Sequence, residues 1–165
     1  MKLNAVVDGG QTPTMDETAI IQYITGTFAG IQIARSDDGA NSFFYYSADG
    51  KIPEKAFPFA TLITNDDYDT VSNLSRPSVC RLNIGLAKDT FVSLLGAPPK
   101  APGESGIIDT GHDFTALDQI MPHPIYGHMC WVCVLNPGTA TWGTVQTLLE
   151  EAYGRAARKQ DKDAG

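Results

Sequence analysis

The sequence predicts a single-domain α+β fold, with a five-stranded, mainly antiparallel sheet and helices packed on one face. Four short apolar or alternating segments follow one another between residues 30 and 85, with turn residues between them. Such a run is typical of hairpin-linked strands. Apolar residues at helical spacing occur near both ends of the chain. The length of 165 residues suits one domain.

The first half of the chain predicts one helix and four strands. The helix is expected over about residues 15–26, because Thr14 and Glu17 fit a capping box ahead of an apolar stripe. Asp49-Gly50 is a hairpin turn signal. The strand segments are GIQIARS (30–36), SFFYYSADGK (42–51), FPFATLIT (57–64) and VCRLNIG (79–85).

The second half predicts a short helix, a fifth strand and a long closing helix, which gives the order α-β-β-β-β-α-β-α. The short helix AKDTFVSLLG is closed by a glycine, and the proline-rich stretch after it cannot be regular structure. FTALDQI (114–120) is expected to form one or two helical turns, before a strand over 129–135 and a helix over 140–159. Residues 1–13 are expected as a flexible leader, 14–159 as the domain and 160–165 as a disordered tail.

The charge distribution argues against general nucleic-acid binding. The formal net charge is −7, which repels a polyanion on average. The last fourteen residues carry a local excess of positive charge, from Arg155, Arg158, Lys159 and Lys162. This excess has two interpretations: a basic docking tail, or cations that complement the C-terminal end of a helix dipole.

Two histidines on a predicted loop are candidates for acid–base chemistry. His123 lies between two prolines and His128 follows a glycine, just ahead of the fifth strand. Imidazole titrates near neutral pH, and a carboxylate such as Asp113 could fix its tautomer. The alternatives are that the rings only shape the turn, or that two histidines and an aspartate bind a metal.

The Cys-x-x-Cys of Cys130 and Cys133 predicts no metal site, redox site or cofactor. Both cysteines lie in a predicted strand, where positions three apart point to opposite faces. Structural zinc also requires four ligands. We therefore expect two buried, unpaired thiols.

Polar residues on a central strand suggest a binding surface. Arg81 and Asn83 point away from the apolar face of the fourth strand, and Tyr45 or Tyr46 could lie across from them. Arginine can hold a carboxylate or phosphate with two hydrogen bonds. The alternative is a solvated face or an internal salt bridge to an acid such as Asp113.

Four unusual strings carry a resemblance to a bacterial family of uncharacterised proteins, domain of unknown function 6194. They are S-N-L-x-R-P at 72–77, R-L-N-I-G at 81–85, D-x-x-x-P-H-P at 118–124 and W-V-C-V-L-N-P at 131–137. The resemblance covers about residues 15–158 and implies a compact cytoplasmic α+β domain. The chain is also similar, more faintly, to MmcQ/YjbR-like proteins, which share a His-rich loop, a W-V-x-V strand and a closing helix.

These observations predict a small-molecule-binding domain with acid–base catalysis on a small anionic substrate as its candidate activity. In this scheme His123, His128 and Asp113 are catalytic, while Arg81, Asn83, Tyr45 and Trp131 bind the substrate in a pocket between the open sheet face and the 97–128 loop. The alternative is a protein- or nucleic-acid-interaction module acting through the C-terminal helix. We expect no cofactor, no membrane association, a monomer or homodimer, and a cytoplasmic location.

Overall fold

The structure, a computed structural model, describes residues 5–6 and 14–164 of the chain. Most of the expected leader (1–13) lies outside the described residues, as does Gly165. Among the described residues, no helix combines the length and apolar character needed to cross a bilayer. The elements are β1 (Ala5–Val6), β2 (Thr14–Met15), α1 (Glu17–Thr27), β3 (Ile31–Arg35), β4 (Ser42–Tyr46), β5 (Ala60–Ile63), β6 (Arg81–Gly85), α2 (Lys88–Leu95), β7 (Met121–Pro122), β8 (Trp131–Leu135) and α3 (Trp142–Ala164).

The central feature is a six-stranded sheet in the order β3-β4-β5-β6-β8-β7, with every neighbouring pair antiparallel. The α+β prediction is confirmed, and all five predicted strands are present. The additional strand is the two-residue β7, which pairs with β8 at the edge. β1 and β2 form a separate pair.

One face of the sheet is covered by helices, as predicted. Apolar residues that alternate along the strands, such as Leu62 and Leu82, pack in one buried cluster with Ile20 and Ile24 of α1 and with Leu149 of α3. Each side chain of this kind contributes about 1.5–3 kcal/mol when it is fully buried. This face therefore forms the main core.

The other face was expected to be solvated or to line a pocket beneath the 97–128 loop, but side chains from the loops pack against it instead. The loops over residues 64–79 and 97–120 lie across it and bury a second cluster, which includes Leu74, Ile108 and Phe114 from the loops and Cys133 and Leu135 from β8. The alternation of side chains along the strands explains why there is a second apolar cluster. Every second residue of β8 faces away from the helices, and those residues are apolar too.

Three local expectations also change. The N-cap of α1 is Asp16, whose Oδ1 accepts the Ala19 N–H at 2.8 Å, rather than Thr14. Residues 114–120 form turns and an isolated bridge instead of a helix. Residues 160–164, expected as a disordered tail, lie within α3. The Gln160 side chain accepts the Ala48 N–H and donates to a backbone oxygen of β4, which connects this part of the helix to the sheet.

Candidate functional site

Arg81, the predicted anchor for an anionic substrate, is engaged inside the protein. Its guanidinium donates to both carboxylate oxygens of Asp69, at 2.8 and 3.1 Å, and to the Ser72 hydroxyl at 2.9 Å. The Arg81 and Asp69 side chains are only 2% and 8% exposed. Burial raises the pKa of Asp69, but the hydrogen bonds and charge of Arg81 outweigh it and hold that pKa below its ordinary value. An internal salt bridge was one of the two interpretations of Arg81, and its acidic partner is Asp69 rather than Asp113, the acid named as an example.

His123 comes close to this ion pair but lacks the properties of a general base. The residue is 4% exposed, and its Nδ1 accepts the N–H groups of Ile125 and Tyr126, both at 3.1 Å. The neutral ring therefore carries its proton on Nε2. Burial, together with the positive charge of Arg81, lowers the pKa of His123 to about 3. At neutral pH the ring is an uncharged part of the loop's turn.

Asn83 lies one pleat from Arg81 on the same face of β6. Its amide donates to the Thr61 hydroxyl at 2.9 Å, and Thr61 is its direct neighbour on β5. Tyr45 was expected across from these residues. Tyr45 lies on β4, which is separated from β6 by β5, and it pairs with Gln32 on β3. The β4 residue that pairs with Thr61, and so lines up with Asn83 across the sheet, is Phe43. The residue that meets Asn83 is therefore a threonine.

The two remaining catalytic candidates do not join this cluster. Asp113 accepts hydrogen bonds from the N–H and the hydroxyl of Thr115, which places its carboxylate in a local turn. The Nδ1 of His128 lies 3.1 Å from the Ile125 carbonyl oxygen. The hydrogen bonds described for the His123 and His128 rings all involve backbone groups of residues 125 and 126, and none of them involves Asp113.

Some of the predicted site residues thus lie together, but their polar groups are bonded to other groups of the protein. Arg81, Asn83 and His123 lie together beneath the loops, where Arg81 and Asp69 neutralise each other. Cys133 joins them on the same side, and burial raises the pKa of its thiol to about 12. Cys130 packs in the helix-side cluster instead. The arrangement ties the covering loops to the sheet.

Trp131, the last predicted site residue, lies elsewhere and lines a surface groove of about 510 Å³. It pairs with Gly85 at the end of β6. A Cβ at Gly85 would lie 2.9 Å from Cε2 and Cζ2 of the indole, so only a glycine lets the ring rest against the strand. The groove runs from this tryptophan to the last turns of α3.

Positive charge is concentrated along the α3 side of the groove. Arg155, Arg158 and Lys159 line it and are exposed. Their spacing of three and four residues brings them to one face of the helix. The only salt bridge among the described residues joins Arg81 to Asp69, so these cations have no acidic partner there. The groove is a basic patch on an acidic protein.

The remaining lining residues are mainly apolar, and several are exposed. Phe57 is 84% exposed and Met129 is 59% exposed, which is unusual for side chains of this size. Sequence reasoning noted the basic segment and Trp131 separately, but it did not link them and it missed Phe57. Only the register of β6 with β8 and the position of α3 bring them together. The groove is lined by Phe57, Pro58, Phe59, Gly85, Leu86, Met129, Trp131, Ala152, Arg155, Ala156, Arg158 and Lys159.

Comparison with known proteins identifies one family. A model of DUF6194, described as a family of unknown function, matches residues 15–165 and so confirms the resemblance predicted from the four strings. Neither the curated proteins nor the solved structures contain a match to the chain.

Proposed function

The chain belongs to the family of unknown function DUF6194, and from that premise we propose that it binds a small anionic molecule in the groove beside Trp131. One observation carries the proposal. Three cations and no acidic side chain line this groove, although the whole chain has 19 acidic and 12 basic residues. An acidic protein that concentrates three cations around a concave surface, with no salt bridge to them among the described residues, offers an attractive site for an anion.

Like charges this close on one helix face carry a cost. Cations three or four residues apart destabilise a helix by about 0.2–0.5 kcal/mol per pair. A bound anion removes that repulsion and gains charge-assisted hydrogen bonds from two guanidinium groups. The free energy released on binding therefore includes relief of repulsion within α3.

The dimensions and the charge balance favour a small ligand over a polyanion. A groove of about 510 Å³ lies within the roughly 300–1,000 Å³ typical of small-molecule sites. Beyond the groove, the net negative charge of the chain repels a long anionic chain. A molecule that fits inside the groove meets the cations without extending over acidic surface.

The proposal is for binding and does not extend to acid–base catalysis. The lining residues of the groove include no histidine, cysteine or carboxylate. His123 is buried and neutral, with a pKa of about 3, so it does not supply a base at neutral pH. None of the three candidate catalytic residues lines the groove, although His128 directly precedes the lining residue Met129 in the chain.

Titration with inorganic phosphate, followed by NMR at low ionic strength, tests the proposal. We expect saturable shifts confined to the amides of residues 155–159 and the indole N–H of Trp131. Arg158→Gln should weaken binding about tenfold to a hundredfold, because a charge-assisted hydrogen bond is worth about 1.5–3 kcal/mol.

Lys100→Gln provides the control, since it makes the same charge change at an exposed lysine that does not line the groove. Shifts that are not saturable, or equal weakening by the two substitutions, would overturn the proposal in favour of a general charge effect.

A further inference from the structure

We infer that the anion is a planar aromatic ring carrying a phosphate group, the chemical class to which mononucleotides belong. This inference rests on the proposed function and specifies the ligand of the same groove. The aromatic side chains of the groove suggest the planar ring, and its three cations suggest the phosphate.

Trp131 provides a surface on which a ring can stack. One side of its indole rests against β6 at Gly85, where even a methyl group would collide with the ring. Trp131 is half-buried and lines the groove, so part of its ring is open to a ligand. An indole fixed in this way loses little conformational freedom when a planar ligand stacks on it.

Phe57 provides a second aromatic surface. It lines the same groove, is 84% exposed and is followed by Pro58, which restricts its backbone to extended conformations. A phenyl ring this exposed gains contact area when an apolar ring enters the groove. Phe57, Trp131 and Met129 thus give the groove aromatic and apolar lining in addition to its three cations.

The cations favour a phosphate over a single carboxylate. Arg155, Arg158 and Lys159 together carry three positive charges without an acidic neighbour among the lining residues. A phosphate monoester carries nearly two negative charges at neutral pH and has three acceptor oxygens, whereas a carboxylate carries one charge. Two guanidinium groups and an ammonium can share those oxygens.

The test compares adenosine 5′-monophosphate, adenosine and inorganic phosphate by calorimetry and NMR on the full chain. We expect the nucleotide to bind tenfold to a hundredfold more tightly than phosphate, which is roughly the contribution of one stacked base. The Trp131 indole N–H signal should shift with the nucleotide, while the signal of the buried Trp142 serves as an internal reference.

Two variants separate stacking from charge. Phe57→Ala, at a side chain too exposed to affect folding, should reduce nucleotide affinity several-fold and leave phosphate affinity unchanged. Trp131→Leu should remove most of the difference between the affinity for the nucleotide and the affinity for phosphate. Circular dichroism checks that the variant is folded.

The outcomes distinguish this inference from the proposal on which it rests. If phosphate binds and the nucleotide binds no more tightly, the aromatic inference is overturned and the anion site stands. If neither binds, both fall. If single-stranded oligonucleotides bind with an affinity that rises with length and falls steeply with salt, the partner is a nucleic acid and the small-molecule inference is overturned.

Discussion

At the scale of single residues, the buried pair of Arg81 and Asp69 explains why a charged residue can stand buried at the start of a central strand. An unpaired buried charge costs several kcal/mol, whereas a pair with both carboxylate oxygens engaged is tolerated. Asp69 and Ser72 come from the loop that covers β6, so the pair also fixes that loop on the sheet. The arginine acts within the fold.

Replacing Asp69 with asparagine should destabilise the protein by about 3–5 kcal/mol, because it leaves a buried guanidinium without a counter-charge. Urea denaturation measures the loss. Ser72→Ala is the matched control, since it removes one hydrogen bond of Arg81 but leaves the counter-charge in place, and it should cost less, about 1.5–3 kcal/mol. An equal loss of unfolding free energy in the two variants would show that the counter-charge contributes no more to stability than the single hydrogen bond of Ser72.

His123 makes stability depend on pH. Its pKa of about 3 in the fold lies below the ordinary value near 6.5, so between these values the unfolded chain binds a proton that the native state does not. Unfolding free energy should then fall by about 1.4 kcal/mol for each pH unit lowered below about 6. Asp69 adds to the loss only at lower pH, because its depressed pKa keeps its contribution intact above about pH 4.

Urea denaturation between pH 7 and pH 4.5 measures this slope. His123→Asn should reduce the slope by the amount that corresponds to nearly one proton taken up on unfolding. The asparagine oxygen can still accept the two N–H groups, but it does not titrate. An unchanged slope in the variant would assign the pH dependence to other groups.

At the scale of elements, Asp118 connects the loop before β7 to the start of α3. The residue has a φ of 55°, and its carboxylate accepts the N–H groups of Gly138, Ala140 and Thr141 and the Thr141 hydroxyl, at 2.6–3.1 Å. These donors lie just before the first residue of α3, where a negative charge also favours the helix dipole. The sequence predicted a helical turn here, and the competing side-chain hydrogen bonds explain why none forms.

Asp118→Ala should destabilise the protein by about 2 kcal/mol, at the upper end for a helix cap, since four hydrogen bonds are lost together. Hydrogen exchange should also show faster exchange in the first turn of α3. Asp113→Ala is the control, because that carboxylate bonds only within its own turn at Thr115. Faster exchange in both variants would indicate general loosening of the loop.

At the scale of the whole molecule, the sheet is the middle layer between two apolar clusters. The helix-side cluster contains Cys80 and the loop-side cluster contains Cys133. Burial raises the pKa of both thiols to about 12. Because the strands are shared by both clusters, we expect the two layers to unfold together.

Alkylation with iodoacetamide in increasing urea, followed by peptide mass spectrometry, tests this cooperativity. Cys80 and Cys133 should both stay unmodified under native conditions and become reactive at the same urea concentration as the loss of circular dichroism. Earlier labelling of Cys133 would show that the covering loops open independently of the helical layer.

The sequence by itself determined the element types and the α+β class. Strands such as 79–85 and the helix over 140–159 have periodicities that depend only on local geometry. It also determined that Arg81 and Asn83 point away from the helices, since alternation on a strand decides that. The four unusual strings determined the family.

Only the tertiary structure decided what those side chains meet. That the second face is covered, that Asp69 rather than Asp113 pairs with Arg81, and that Trp131 lies by the basic end of α3 all depend on contacts between segments far apart in the chain. Such contacts are set by sheet order and by the paths of irregular loops, which local periodicity does not encode. For this reason the sequence predicted a site at the histidine loop, whereas the structure offers a groove formed by four segments that are separate in the chain.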